Sequence, residues 1–143
     1  MSKLHESLKG LLEEAGITQS QLSAATGISN SNISDFLKGI HEPSYQAFWA
    51  LLRYFECSAD YLLGLTDIHT NEPLCEAVPF SQRLLEMLKE KNISQQFLIK
   101  NMSISSSVVY KWIAEISQPS TDALIRLSKF FDCSVDYLIG RVR

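Results

Sequence analysis

The feature that most constrains this chain is an internal repeat. Residues 4–64 align with residues 80–140 at a constant offset of 76, without a gap. About one position in three is identical, including Leu8/Leu84, Leu22/Leu98, Ile28/Ile104, Ser29/Ser105, Pro43/Pro119, Leu51/Leu127, Cys57/Cys133, Asp60/Asp136 and Gly64/Gly140. The matches fall on apolar, helix-capping and turn positions, so the duplicated object is a complete folding unit. A chain of 143 residues accommodates two small domains and is too short for a barrel-sized enzyme fold. The expected organisation is a first domain over 1–65, a linker over 66–79 with Pro73 and Pro79 and no helical period, and a second domain over 80–143.

Each unit reads as five short helices. Leu4, Leu8, Leu11 and Leu12 recur at three- and four-residue spacing and predict a first helix. It is closed by Gly16 in the first copy and Asn92 in the second, the two residue types that most readily take the left-handed conformation past a helix end. Thr18 and Gln21 form a capping box that opens a second helix ending near Gly27. Ser29 caps a third helix, Ser44 a fourth after Pro43, and Ser58 a fifth that stops at Gly64. No segment alternates apolar and polar residues as a half-buried strand does, so the expected fold class is all-α. Leu22, Ile28, Ile33, Phe36, Ala47, Leu51, Phe55 and Leu62 are the expected core, with Cys57 and Cys133 as buried thiols.

Composition narrows the function. Hydrophobic residues make up 45% and charged residues 20%, which is enough apolar matter for a packed core. The longest apolar runs, such as Phe48 to Leu52, fall far short of the roughly 18–20 residues of a membrane span. The charged N-terminus leaves no apolar signal core, so a cytoplasmic protein with no membrane partner is expected. Cys57, Cys75 and Cys133 are odd in number and lack metal-ligand spacing, which argues against a disulfide framework or a metal site. His5, His41 and His69 have no nucleophile or carboxylate at a useful sequence spacing; no enzyme activity, cofactor or small-molecule ligand is expected. The net charge of -3 excludes a generally basic body, so binding to nucleic acid would require a local surface.

Ile17 to Pro43 holds two short helices joined by a tight turn over Thr26–Ser29, a helix-turn-helix. The pattern Gln19, Leu22, Gly27-Ile28-Ser29, Ile33, Gly39 and Pro43, continued by FECSADYLLG, resembles the lambda-repressor-like (Cro/C1, XRE) family and recurs in both repeats. The resemblance implies two tandem five-helix domains in a sequence-specific regulator of transcription. It would bind double-stranded DNA, act as a repressor by analogy, and work as a homodimer. It also implies that Gln19, and Gln95 in the second copy, bind backbone phosphate at the start of helix 2. The third helix carries polar residues that the core does not need: Asn30, Ser31, Ser34, Asp35 and Lys38, flanked by Ser29 and Asn32. Small amides and hydroxyls at a helix N-terminus can reach base edges in the major groove. Asp60 and Tyr61 lie in the first turn of helix 5, where a carboxylate suits the helix dipole, and are read as structural.

The second copy departs from the pattern. Phe97 and Ile99 replace Gln21 and Ser23, which removes the capping box and adds apolar surface. Glu115 replaces Gly39, where a carboxylate would face phosphates. Helix 3 of this copy offers Ser106, Ser107, Tyr110 and Lys111, a surface suited to DNA or to protein. Residues 1–68 hold four Lys/Arg and eight Asp/Glu, net -4, and residues 69–143 hold nine and eight, net +1. The first copy has the better motif and the second the better electrostatics, and the motif assigns base reading to the first. The competing reading is a protein-interaction module that keeps the fold without DNA affinity. Its motivation is the low basic content and the aromatic residues Tyr45, Phe48, Trp49 and Tyr54 of helix 4, several of which must be core.

Overall fold

The computed structural model describes residues 2–67 and 78–141. The expected linker, with Cys75 and His69, falls largely outside them. Ten helices and no strand occur among the described residues, in the expected fold class. Contacts divide the chain into two compact units, Met1–Pro73 with Ser120–Asp122, and Leu74–Pro119 with Ala123–Arg143. The first unit carries α1 (Leu4–Ala15), α2 (Gln19–Thr26), α3 (Asn30–Lys38), α4 (Tyr45–Phe55) and α5 (Ala59–Leu62). Their equivalents are α6 (Phe80–Glu90), α7 (Gln95–Met102), α8 (Ser106–Ile113), α9 (Thr121–Phe131) and α10 (Val135–Leu138).

Local chemistry sets each boundary. Ser29, Ser44 and Ser58 accept at Oγ from the backbone N–H groups of Asn32, Ala47 and Tyr61, so each satisfies one orphan donor of the helix it opens. Gly16 and Asn92 lie past the ends of α1 and α6 at φ 64° and 53°. At Gly64 and Gly140 the requirement is also spatial. A Cβ would sit 2.6 Å from the Lys3 side chain in the first unit and 2.3 Å from the Val78 carbonyl oxygen in the second. The segment entering the first helix of each unit thus runs against the end of the last one, and Lys3 N–H donates to Leu63 O across that seam.

The cores show how two diverged sequences fill one architecture. In the first unit the bulk lies in α4, where Phe48 and Trp49 are buried. In the second, those positions hold Leu124 and Ile125, Leu52 becomes Ser128, and the volume reappears as Phe80 and Trp112 in place of Leu4 and Phe36. Phe80 and Trp112 are buried edge to face, with ring centroids 5.7 Å apart. Packing tolerates such exchanges when total volume is kept. Ser128 is buried because its hydroxyl donates to Ile125 O at 2.7 Å.

Three sequence expectations need correction. Ala47 and Phe55 are half-buried. The α4 stripe that faces inward is Phe48, Trp49, Leu51 and Leu52, which leaves only Tyr45, half-buried, and Tyr54 toward the outside. Cys57 is buried as expected, but Cys133 is half-buried.

Candidate nucleic-acid interface

The helix-turn-helix is held by short-range bonds. Gln21 N–H donates to Thr18 Oγ1 at 3.1 Å and Thr18 N–H to Gln21 Oε1 at 2.8 Å, the reciprocal capping box. This engages Thr18 and Gln21 and leaves Gln19 exposed as the first residue of α2. Gly27 turns the chain at φ 79°, and its N–H donates to Ser23 O at 2.9 Å. The Thr26 hydroxyl donates to Leu22 O and accepts from Ile28 N–H, while Ser23 Oγ donates to Ile28 O. Every polar side chain of the turn is thereby engaged, and Ile28 is buried beneath it. Replacing Thr18 with Ala should lower the stability of the first unit by about 1 kcal/mol. Ser94→Ala should cost the second unit less, because Ser94 accepts from Phe97 N–H at 3.1 Å without a reciprocal side-chain bond. Thermal melts of the two variants check the difference.

α3 separates the expected readers into three groups. Asn30, Ser31 and Asn32 are exposed in its first turn, and Ile33 and Phe36 bury the opposite face. Ser29 is exposed but committed to the cap, and its Oγ also lies 3.3 Å from Ser31 Oγ. Ser34 and Lys38, one turn apart, line an open groove of about 470 Å³ with Gln19, Thr18, Leu37 and the α1 residues Lys9, Leu12 and Glu13. Ser34 is half-buried there, not on the outermost face that the sequence suggested. Asp35 is half-buried too, and its Oδ2 lies 3.2 Å from His41 Nε2. The expectation that His41 has no carboxylate partner is therefore corrected. Six residues separate the pair, outside helical spacing, and the left-handed Gly39 at φ 71° carries the chain back to close it.

The second unit repeats the frame with different side chains. Ser105 caps α8 by accepting from Val108 N–H, and its Oγ lies 3.1 Å from Ser107 Oγ, as Ser29 and Ser31 are related in the first unit. Ser103 and Glu115 take the left-handed turns at φ 52° and 61° that Gly27 and Gly39 take in the first unit. Gln95, Ser106, Ser107, Tyr110 and Lys111 are all exposed. Val108 stands where the first unit has Asn32, and Tyr110, 65% exposed, where it has Ser34. Phe97 is 48% exposed and leans on Phe130 with centroids 6.4 Å apart. The Glu115 side chain is exposed, and one of its carboxylate oxygens accepts from the Ser81 hydroxyl of α6 at 3.0 Å.

Ser7 Oγ donates to Tyr61 O at 3.1 Å, and Asp136, equivalent to Asp60, is buried against Arg141 at 2.7 Å. Burial pushes the Tyr45 phenol above its ordinary range, opposed by a hydrogen bond with Trp49 and by Arg53, so this side chain stays neutral. Among the described residues, no group of three His, Cys, Asp or Glu could hold a metal ion, and no helix is long and apolar enough to cross a membrane. Sequence reasoning missed Lys9 in the groove and the His41 contact. For Lys9 the usable signal was its place between Leu8 and Leu12 on the face of α1 that meets α3.

Comparison with known proteins agrees with this geometry. The helix-turn-helix family model matches twice, at residues 8–62 and 84–138, the same offset as the repeat. The chain is 31% identical over 61 residues to an uncharacterised HTH-type transcriptional regulator, YobD, of Bacillus subtilis. Over the same length it is 28% identical to the HTH-type transcriptional activator BcrR of Enterococcus faecalis. Each match covers 43% of this chain, and 54% and 30% of the respective relatives, so the similarity is that of one domain. No solved structure matches the chain significantly. With the matched segments spanning more than half of its residues and both turns built as described, the chain belongs to the helix-turn-helix family, in its Cro/C1-like form, and carries the domain twice.

Proposed function

We propose that the chain is a sequence-specific double-stranded DNA-binding transcriptional regulator, a repressor, that reads the major groove with α3. The observation that carries this reading is the exposed set Asn30, Ser31 and Asn32 at the start of a helix whose other face is buried. An asparagine can pair bidentately with an adenine edge, and a serine hydroxyl can donate or accept. Gln19, Lys38 and Lys9 around the adjoining groove are suited to phosphates, which set register without reading sequence. Regulation of transcription is carried over from what YobD and BcrR are named for. Among the described residues no catalytic constellation supports an enzyme reading, and the domains are taken as 1–65 and 80–143 with a linker over 66–79.

The second unit serves mainly the homodimer interface, on the strength of exposed Phe97, Val108 and Tyr110 at positions where the first unit is polar. Two first units then read a palindrome, with α3 helices about 34 Å apart on one face of the duplex. A non-palindromic selected site bound by a species of 16.1 kDa would overturn the dimer. The direction of regulation is tested by a reporter placed behind the selected site, which should fall on expression of the chain; a rise makes it an activator.

A mobility-shift titration of the full chain on duplex DNA tests the binding mode. Lys38→Ala should weaken all duplexes about equally and lower the salt slope by about one unit, the signature of a lost phosphate contact. Losses that differ among sequences would make Lys38 a base reader instead.

A further inference from the structure

Both ring nitrogens of His41 face acceptors. Nε2 lies 3.2 Å from Asp35 Oδ2, Nδ1 lies 3.3 Å from the main-chain oxygen of Glu42, and the ring stands edge-on to the buried Phe36 at 5.3 Å. A neutral imidazole carries one N–H and can satisfy only one of these acceptors. The imidazolium carries two and satisfies both. The neutral ring can hold the Asp35 carboxylate through Nε2–H; the second proton adds the Nδ1–H bond to the Glu42 oxygen and places a positive charge against the carboxylate.

We propose that His41 is a positioning residue of the DNA-reading surface, coupling duplex binding to the uptake of one proton. This rests on the reading that α3 meets DNA. Beside a neutral imidazole the Asp35 carboxylate keeps its full negative charge and would be repelled by the phosphates beside the groove. Braced and neutralised through Oδ2, it still presents Oδ1, which can accept from the N4 amino group of a cytosine. The phosphate field favours the imidazolium in turn, so protonation and duplex binding favour each other. Histidine is the side chain whose charge changes near neutral pH.

The other titratable groups around this cleft are accounted for. His5 of α1 lines it and lies 3.9 Å from Glu6. The Glu42 carboxylate accepts from Ser2 N–H at 3.0 Å and from the Ser2 hydroxyl. Lys38 is in the last turn of α3.

The test is the affinity of the full chain for its selected duplex, and for single-base variants of it, between about pH 5.5 and pH 8. Wild-type affinity should rise as pH falls, by up to about tenfold per pH unit for each bound first unit, the limit for one proton per His41. His41→Gln keeps a donor for Asp35 but cannot titrate, and should flatten the profile at an unchanged melting temperature. Asp35→Asn should flatten it as well, whereas His5→Gln should leave it as in the wild type. His41→Ala should lose about fivefold or more of the discrimination for cytosine at one position. A His41→Gln profile that still rises in parallel with the wild type, or a wild-type profile that is flat, overturns the inference while leaving α3 as the reader. Failure of the wild type to bind any duplex overturns both.

Discussion

Phe36→Ala is expected to remove about 3–5 kcal/mol from the first unit and to abolish its DNA reading. Phe36 is buried on α3 beside Ile33, and together they seat the helix on the core. A domain of about 60 residues has on the order of 3–9 kcal/mol of stability in total, so the loss is comparable to everything that keeps it folded. Trp112→Ala, at the equivalent position, should do the same to the second unit, because Trp112 is buried and packs edge-on to Phe80. The pair separates two roles. Phe36→Ala loses the reading helix, while Trp112→Ala leaves α3 able to bind a half-site and loses pairing on a palindrome. Thermal melts with mobility shifts on whole and half sites give both readouts. An unchanged melting temperature for Phe36→Ala would contradict the core described for the first unit.

Asn30→Ala should cost about 1–3 kcal/mol of binding at one base pair and relax sequence preference there. Stability should be unaffected, because Asn30 is exposed and the Ser29 cap remains. The expected pattern is thus a wild-type melting temperature with a degenerate position in each half-site. A variant that keeps the parental site and affinity would remove Asn30 from the reading set.

The helices were legible in the sequence because their ends depend on local chemistry. Thr18, Ser29, Ser44 and Ser58 each cap within three residues of their bonding partner, so spacing alone located α2 to α5. The core was less legible. Identity between the copies pointed to Ala47 and Phe55, yet the inward stripe of α4 includes Phe48, Trp49 and Leu52, which the copies do not share. Those positions vary because their volume is traded against Phe80 and Trp112 elsewhere in the core. A one-dimensional comparison has no means of seeing such an exchange.

The candidate site was legible in its first turn and not beyond it. Asn30, Ser31 and Asn32 follow the cap directly, so helical geometry exposes them. Ser34 faces a groove formed with α1, and Asp35 meets His41 through the left-handed turn at Gly39; both depend on tertiary approach. Glu115 shows the same limit in the second unit, since its partner Ser81 lies 34 residues away in sequence.

Selection of binding sites from random duplexes by the full chain, followed by titration of the selected duplex at several salt concentrations, tests most directly whether α3 reads DNA. A discrete site should emerge, bound about a thousandfold or more tighter than random duplex and weakened by salt. Enrichment of no sequence, with no mobility shift even at low salt, would contradict DNA reading and leave a protein-interaction module built on the same ten helices.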